Sequence, residues 1–119
     1  MKLSGKTAII TGCASGMGKA TAKLFCSDGA QVVLNDLSDQ VFTLERELQA
    51  QGYEVAAVQG SAADMDIAEK AAQTAIDRFG KIDILINTVG LSCRTAILDT
   101  SLEEFERVIN TNLKAVFCP

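Results

Sequence analysis

The sequence predicts an α/β fold, a doubly wound parallel sheet of four strands in the order 3-2-1-4. Three observations carry the prediction. Short apolar, β-branched runs alternate with helix-like runs throughout the chain. The strand runs are apolar on both faces, which suits strands buried between two helical layers better than strands half-exposed to water. No repeat, low-complexity stretch or internal proline interrupts the alternation, the single proline being Pro119. Parallel strands need crossover connections, and right-handed crossovers wind the helices onto both faces. The 119 residues fit one domain, 1–119.

The elements follow in order. Thr7-Ala8-Ile9-Ile10-Thr11 is the first strand. A helix over 19–27 carries Ala20, Leu24 and Phe25 as its apolar residues, and Asp28-Gly29 ends it, glycine being common just past a helix end. Gln31-Val32-Val33-Leu34-Asn35-Asp36 is the second strand. A helix over 38–51 presents Val41, Leu44 and Leu48, and Gly52 stops it. A third strand is predicted over 53–59. A helix over 64–79 has Ile67, Ala71, Ala75 and Ile76 as its stripe, followed by Gly80. The fourth strand is predicted over 82–87. Thr100 and Glu103 have the spacing of a capping box, and the helix they open runs through Phe105, Val108, Ile109 and Leu113 toward Val116 and Phe117.

Bulk properties narrow the function. Net charge is −4 and the pI near 4.7. An acidic surface repels phosphate backbones, which argues against nucleic acid, and no basic cluster invites an anionic membrane. The N-terminus has no secretory core, and no run approaches the roughly 20 apolar residues of a membrane span. Cys13, Cys26, Cys93 and Cys118 form no C-x-x-C pair, and the sequence has no histidine. No metal site is therefore expected, and reduced cysteines in a cytoplasmic protein are the plainer reading. Lack of histidine also excludes a Ser-His-Asp or Cys-His nucleophile within these residues.

The first strand runs into Thr11-Gly12-Cys13-Ala14-Ser15-Gly16-Met17-Gly18. Glycine supplies the backbone angles of a tight strand-to-helix turn. Glycines without a β-carbon also let a pyrophosphate approach the backbone and let the helix pack against the sheet. The phosphate then meets free N–H groups at the positive end of the helix dipole, with Ser15 able to add a hydroxyl. A glycine-rich loop alone is weak evidence, since a plain tight β-α connection reads the same; its place between a buried strand and a helix strengthens the binding reading. No Gly-Lys-Ser/Thr ends the segment, so a Walker loop is set aside. Asp36 closes the second strand, eighteen residues past Gly18. A carboxylate there can accept from the ribose 2′- and 3′-hydroxyls and repels a 2′-phosphate. Leu37 follows, where a basic residue would favour NADP. NAD is therefore expected over NADP. The competing reading of Asp36 is a helix cap, a task open to Ser38 or Asp39.

Taken together, these residues resemble the short-chain dehydrogenase/reductase family and its T-G-x-x-x-G-x-G cofactor loop. Thr11, Gly12, Gly16 and Gly18 match that loop, and Asp36 matches the family's NAD-selecting acid. Asp77-Arg78-Phe79-Gly80-Lys81-Ile82-Asp83-Ile84-Leu85-Ile86-Asn87 looks like the lead into the family's N-N-A-G motif, which stands here as Asn87-Thr88-Val89-Gly90. Ile109-Asn110-Thr111-Asn112-Leu113 looks like the segment holding the catalytic asparagine, at Asn112. The resemblance implies a Rossmann-like fold. It implies a cofactor site drawn from Gly12, Ser15, Gly16, Met17, Gly18, Asp36, Leu37, Ser61, Ala62, Asn87, Thr88 and Gly90. Ser61 falls where the family often has an aspartate that meets the adenine amine. Val89, bulkier than the family's alanine, is positioned to crowd the ribose.

The implied chemistry is hydride transfer between the nicotinamide and an alcohol or ketone. The family's serine and its Tyr-x-x-x-Lys follow the asparagine, and no Tyr-x-x-x-Lys occurs in these 119 residues, whose one tyrosine is Tyr53. The chain is thus expected to be the N-terminal part of a longer enzyme, truncated after the helix that follows the fourth strand, and inactive alone. The fourth strand would then be an exposed apolar edge. The resemblance also implies a homo-oligomer through the helix after Thr100. Two alternatives remain: a non-catalytic NAD or ADP-ribose module, and an S-adenosylmethionine-dependent methyltransferase, which also has a glycine loop and an acid after the second strand. The glycine spacing and the Asn87 and Asn112 segments speak against the methyltransferase. Cys93 and Arg94 read equally as pocket-facing or as incidental loop residues.

Overall fold

A computed structural model of the chain describes residues 2–88 and 101–110. The elements are β1 (Thr7–Thr11), α1 (Gly16–Ser27), β2 (Gln31–Asp36), α2 (Gln40–Ala50), β3 (Val55–Gln59), α3 (Met65–Phe79), β4 (Ile84–Asn87) and α4 (Leu102–Ile109). The four strands form one sheet in the order β3-β2-β1-β4. All three pairings are parallel, with Thr11 opposite Asn35 and Asn87, and Asp36 opposite Gln59. The C-terminal ends of β1, β2, β3 and β4 therefore finish side by side, and the order reverses between β1 and β4. In open sheets of this kind ligands bind at that reversal.

Successive strand side chains point to opposite faces, and two cores result. Ile10, Val32 and Leu34 pack with Ala22 and Cys26 of α1 and with Val41, Leu44 and Leu48 of α2. Ile9, Val33 and Val58 pack on the other face with Ala71 and Ala75 of α3. The predicted stripe of α2 is the buried one. In α3, Ala71 and Ala75 are buried and Ile67 packs partly, while Ile76 is exposed.

The buried face of α1 differs from the expectation. Gly18, Ala22 and Cys26, four residues apart, face the sheet; of the three expected residues, Phe25 packs partly against the same core, and Ala20 and Leu24 face outward. Small residues let this helix lie close to the strands, so the larger Leu24 has no place underneath. The helix also begins at Gly16, three residues earlier than expected, which brings the later glycines of the loop into its first turn. β3 and β4 each start two residues later than predicted. The cap of α4 is Ser101, whose hydroxyl accepts from Glu104 N–H at 3.1 Å; the S-x-x-E spacing sits one residue beyond the expected Thr100 pair. Thr100 and the predicted continuation of this helix through Leu113 lie outside the described residues. No helix among the described residues is long and apolar enough to cross a membrane.

The start of β1 is tied down by Asp83. Its carboxylate accepts from Thr7 N–H at 2.9 Å and pairs with Lys81 at 3.1 Å, and its own N–H donates to the Thr7 carbonyl. The Thr7 N–H, with Lys81 second, holds the Asp83 carboxyl below its ordinary value. A depressed carboxyl stabilises the fold above its unfolded pKa, about 4, and the contribution is lost as pH falls through the folded value. Asp83→Asn is therefore expected to lower the urea midpoint at pH 7, with the gap to the parent closing as pH drops below 4. A gap that stays constant with pH would rule out the charge as its origin.

Candidate functional site

The glycine loop joins β1 to α1 over the C-terminal edge of the sheet. Gly12 and Gly16 have φ of 70° and 59°, in the left-handed region where a β-carbon is strained. Gly18 is buried, and a β-carbon there would press into the Gly12 carbonyl and lie 2.5 Å from Thr88 Oγ1. A β-carbon at Gly16 would meet nothing within 4 Å, so this part of the loop faces open space. The loop is thus tight on its inner side and bare on its outer side.

The inner N–H groups are already used. Cys13 N–H donates to the Asn35 carbonyl at 3.2 Å, and Ala14 N–H donates to Asp36 Oδ2 at 2.9 Å. The outer ones begin α1, and the first N–H groups of a helix have no intrahelical acceptor. Ser15, the N-cap, is exposed and makes no side-chain cap bond, unlike Asp64 of α3 and Ser101 of α4. Its hydroxyl and the first N–H groups of α1, at Gly16, Met17 and Gly18, are donors of the kind that can hold a phosphate at a helix N-terminus.

Asp36 stands beside the loop. Its Oδ2 takes Ala14 N–H, and its Oδ1 takes Ser38 N–H at 2.9 Å. The carboxylate therefore braces the glycine loop against the turn that precedes α2. The side chain is half-buried, and each oxygen retains a lone pair, so a diol can still be accepted. Capping falls to Ser38, whose hydroxyl accepts from Gln40 N–H at 3.1 Å; Asp39 makes no side-chain cap bond. Leu37 is exposed.

After β3, Gly60 N–H donates to the Asp36 backbone carbonyl at 2.9 Å, which places this turn beside the end of β2. Ser61 Oγ accepts from Ala63 N–H at 3.2 Å, leaving its own proton to donate, and Ala62 is buried. After β4, Asn87 Oδ1 accepts from Thr11 Oγ1 at 3.3 Å. Thr88 is turned inward: its hydroxyl donates to the carbonyls of Thr11 at 2.5 Å and Gly12 at 3.1 Å. The structure thus gathers Gly12, Ser15, Gly16, Met17, Gly18, Asp36, Leu37, Ser61, Ala62, Asn87 and Thr88 along one edge. Gly90 and Asn112 lie outside the described residues. Tyr53 precedes β3, at the opposite end of the sheet.

Two residues of this edge escaped the sequence reading. Asn35 is 2% exposed, and its Nδ2 donates to the carbonyls of Val58 at 2.9 Å and Gly60 at 3.3 Å. The available signal was an amide inside an otherwise apolar strand, since a buried polar group must find partners. Cys13 is fully buried, with Sγ 3.4 Å from the same Asn35 carbonyl. Burial, aided by the nearby Asp36 charge, pushes its thiol up to about 12, and burial pushes Cys26 up to about 11. Both are thiols at neutral pH and serve as packing, not as nucleophiles.

Residues 6–119 match the family described as short chain dehydrogenase. The chain is 35% identical over 118 residues to the 3-oxoacyl-[acyl-carrier-protein] reductase FabG of Thermotoga maritima, covering 98% of this chain and 48% of that protein. It is 41% identical over 123 residues to the (2S)-[(R)-hydroxy(phenyl)methyl]succinyl-CoA dehydrogenase subunit BbsD of Thauera aromatica, covering 98% and 48%. A short chain dehydrogenase from Mycobacterium avium superposes with a TM-score of 0.93 at 34% identity, over 99% of this chain and 46% of that one. The chain spans about half the length of the curated relatives it matches. With a parallel 3-2-1-4 sheet, a bare glycine loop and an acid braced beside it, the chain belongs to the short chain dehydrogenase family.

Proposed function

We propose that this chain binds the ADP half of NAD, as the cofactor-binding part of an oxidoreductase acting on an alcohol or ketone. The observation that carries the reading is the Ala14–Asp36 hydrogen bond. It sets an acceptor for a ribose diol beside a helix N-terminus suited to a pyrophosphate. The residues fit the cofactor on their own geometry. Gly16 is open to an approaching phosphate, Gly18 lets α1 close on the loop, and the Ser61 hydroxyl retains a proton for a base. Asp36 selects NAD because a 2′-phosphate would meet its carboxylate, and exposed Leu37 offers no compensating cation.

When bound, NAD would accept or supply hydride at its nicotinamide ring. The residues of this chain hold the other end. Ser15 and the first turn of α1 bind the pyrophosphate, Asp36 orients the ribose, and Ser61 and Ala62 border the base. Asn87 and Gly90 are assigned to the nicotinamide side, and Asn112 is assigned to the proton relay by family resemblance. No Tyr-x-x-x-Lys occurs among these 119 residues, and the role assigned to them is to bind and orient the cofactor. A cytoplasmic location and a homo-oligomer through α4 complete the proposal; Leu102, Phe105 and Ile109, exposed on one side of that helix, support the second. Calorimetric titration with NAD, NADP and ADP tests the reading. NAD is expected to bind at least tenfold more tightly than NADP. Tighter binding of NADP, or binding of S-adenosylmethionine and no dinucleotide, would overturn it.

A further inference from the structure

The geometry points to Thr88 as a positioning residue: its hydroxyl, with the Asn35 carbonyl opposite, locks the Gly12–Cys13 peptide so that the N–H groups at the start of α1 face a phosphate. In a trans peptide the C=O and N–H point in opposite directions, and the described chain has no cis bond. On the β4 side, the Gly12 carbonyl accepts from Thr88 Oγ1 at 3.1 Å. On the β2 side, Cys13 N–H donates to the Asn35 carbonyl at 3.2 Å. This one peptide plane is therefore gripped at both ends, across the tip of β1, by the two strands that flank it.

Each grip is itself held. Thr88 N–H donates to the Thr11 carbonyl at 3.3 Å, and its hydroxyl is shared with that same carbonyl at 2.5 Å. Asn35 is fastened to β3 and the turn beyond it through Val58 and Gly60. Gly18 closes the arrangement from above, where a β-carbon would strike both the Gly12 carbonyl and Thr88 Oγ1. Gly12, at φ 70°, has the freedom to turn its peptide over, and the two hydrogen bonds remove that freedom. A flipped peptide would turn the Gly12 carbonyl away from Thr88 and disturb the N–H groups that follow. Thr88 thus acts on the phosphate through the loop, without touching it.

The inference rests on the nucleotide-binding reading, and two measurements on the full chain separate them. Thr88→Val keeps the shape and deletes the hydroxyl; Thr88→Ser keeps the hydroxyl and deletes the methyl. Titrated well below the melting temperature of each variant, Thr88→Val is expected to bind NAD and ADP five- to twentyfold more weakly, and Thr88→Ser within twofold of the parent. Amide hydrogen exchange at Cys13, followed by NMR without nucleotide, is expected to speed up at least tenfold in Thr88→Val and to stay at the parent rate in Thr88→Ser. Unchanged exchange at Cys13 in Thr88→Val overturns the lock, even if affinity falls, because the hydroxyl would then act on the ligand directly. Faster exchange with unchanged affinity overturns the positioning role. A parent that binds neither NAD nor ADP refutes the nucleotide reading and with it the positioning role; the exchange result then reports only whether the peptide is locked.

Discussion

Gly18→Ala is expected to cost the protein about 2 kcal/mol of stability and more than tenfold in NAD affinity, the largest effect of any single methyl at this site. Two terms oppose. Alanine is a better helix former than glycine by about 1 kcal/mol. Against that, the new methyl would press into the Gly12 carbonyl and lie 2.8 Å from its carbon. These are backbone atoms, so no rotamer change relieves the contact; overpacking this severe sits at the upper end of its range, about 3 kcal/mol, which leaves a net cost of about 2 kcal/mol. Relief requires α1 to move off the sheet, which spoils the alignment of its first N–H groups with a phosphate. Gly16→Ala is the informative contrast. Its methyl meets nothing within 4 Å, so its stability loss should be confined to the strained φ of 59°, about 1 kcal/mol. Urea midpoints and NAD titrations of both variants check the pair. Equal stability losses would show that the Gly12 contact does not govern Gly18.

Asp36→Asn is expected to reduce the preference for NAD over NADP by at least tenfold. The substitution preserves size and removes the charge that a 2′-phosphate would meet, and a factor of ten corresponds to about 1.4 kcal/mol, a modest value for one charge–charge repulsion at a partly exposed site. NAD itself should also bind more weakly. The carboxylate now accepts from Ala14 N–H and Ser38 N–H, one on each oxygen, and an amide can accept at only one end. The other end would set two donors against each other and loosen the link between the glycine loop and the β2–α2 turn. Adding Leu37→Arg is expected to invert the preference, since an exposed cation there would pair with the phosphate. An unchanged NAD-to-NADP ratio in Asp36→Asn would place the selectivity elsewhere.

Much of this protein was readable in its chain because parallel strands buried on both faces leave a strong signature. Val32-Val33-Leu34 and Ala8-Ile9-Ile10 are apolar on both sides, and both sides are buried. The helix stripe of α2 was legible for the same reason, since Val41, Leu44 and Leu48 are large and face one way. In α1 only Phe25 of the expected residues packs on the core, because the contact face is made of Gly18, Ala22 and Cys26. Hydrophobic patterning weights large side chains, and a helix that must lie close to a sheet beneath a tight glycine loop uses small ones. The α4 cap was misplaced by one residue because Thr100 and Ser101 each have a glutamate three positions on, and spacing alone does not choose between them.

The site divides along a similar line. The sequence by itself determined the parallel architecture and its strand order, the glycine loop, and the acid that ends β2, because each is set by local backbone demands or by burial along a single segment. Only the tertiary structure decided how these parts are held. Asp36 braces Ala14 across 22 positions, Thr88 grips Gly12 across 76, and Asn35 ties Cys13 to the end of β3. Such bonds depend on which strand ends lie side by side, and no periodicity along the chain encodes a hydrogen bond between them. The glycines mark where the backbone is bare; the carbonyls and amides brought to the same edge by the sheet determine which of its N–H groups are already used.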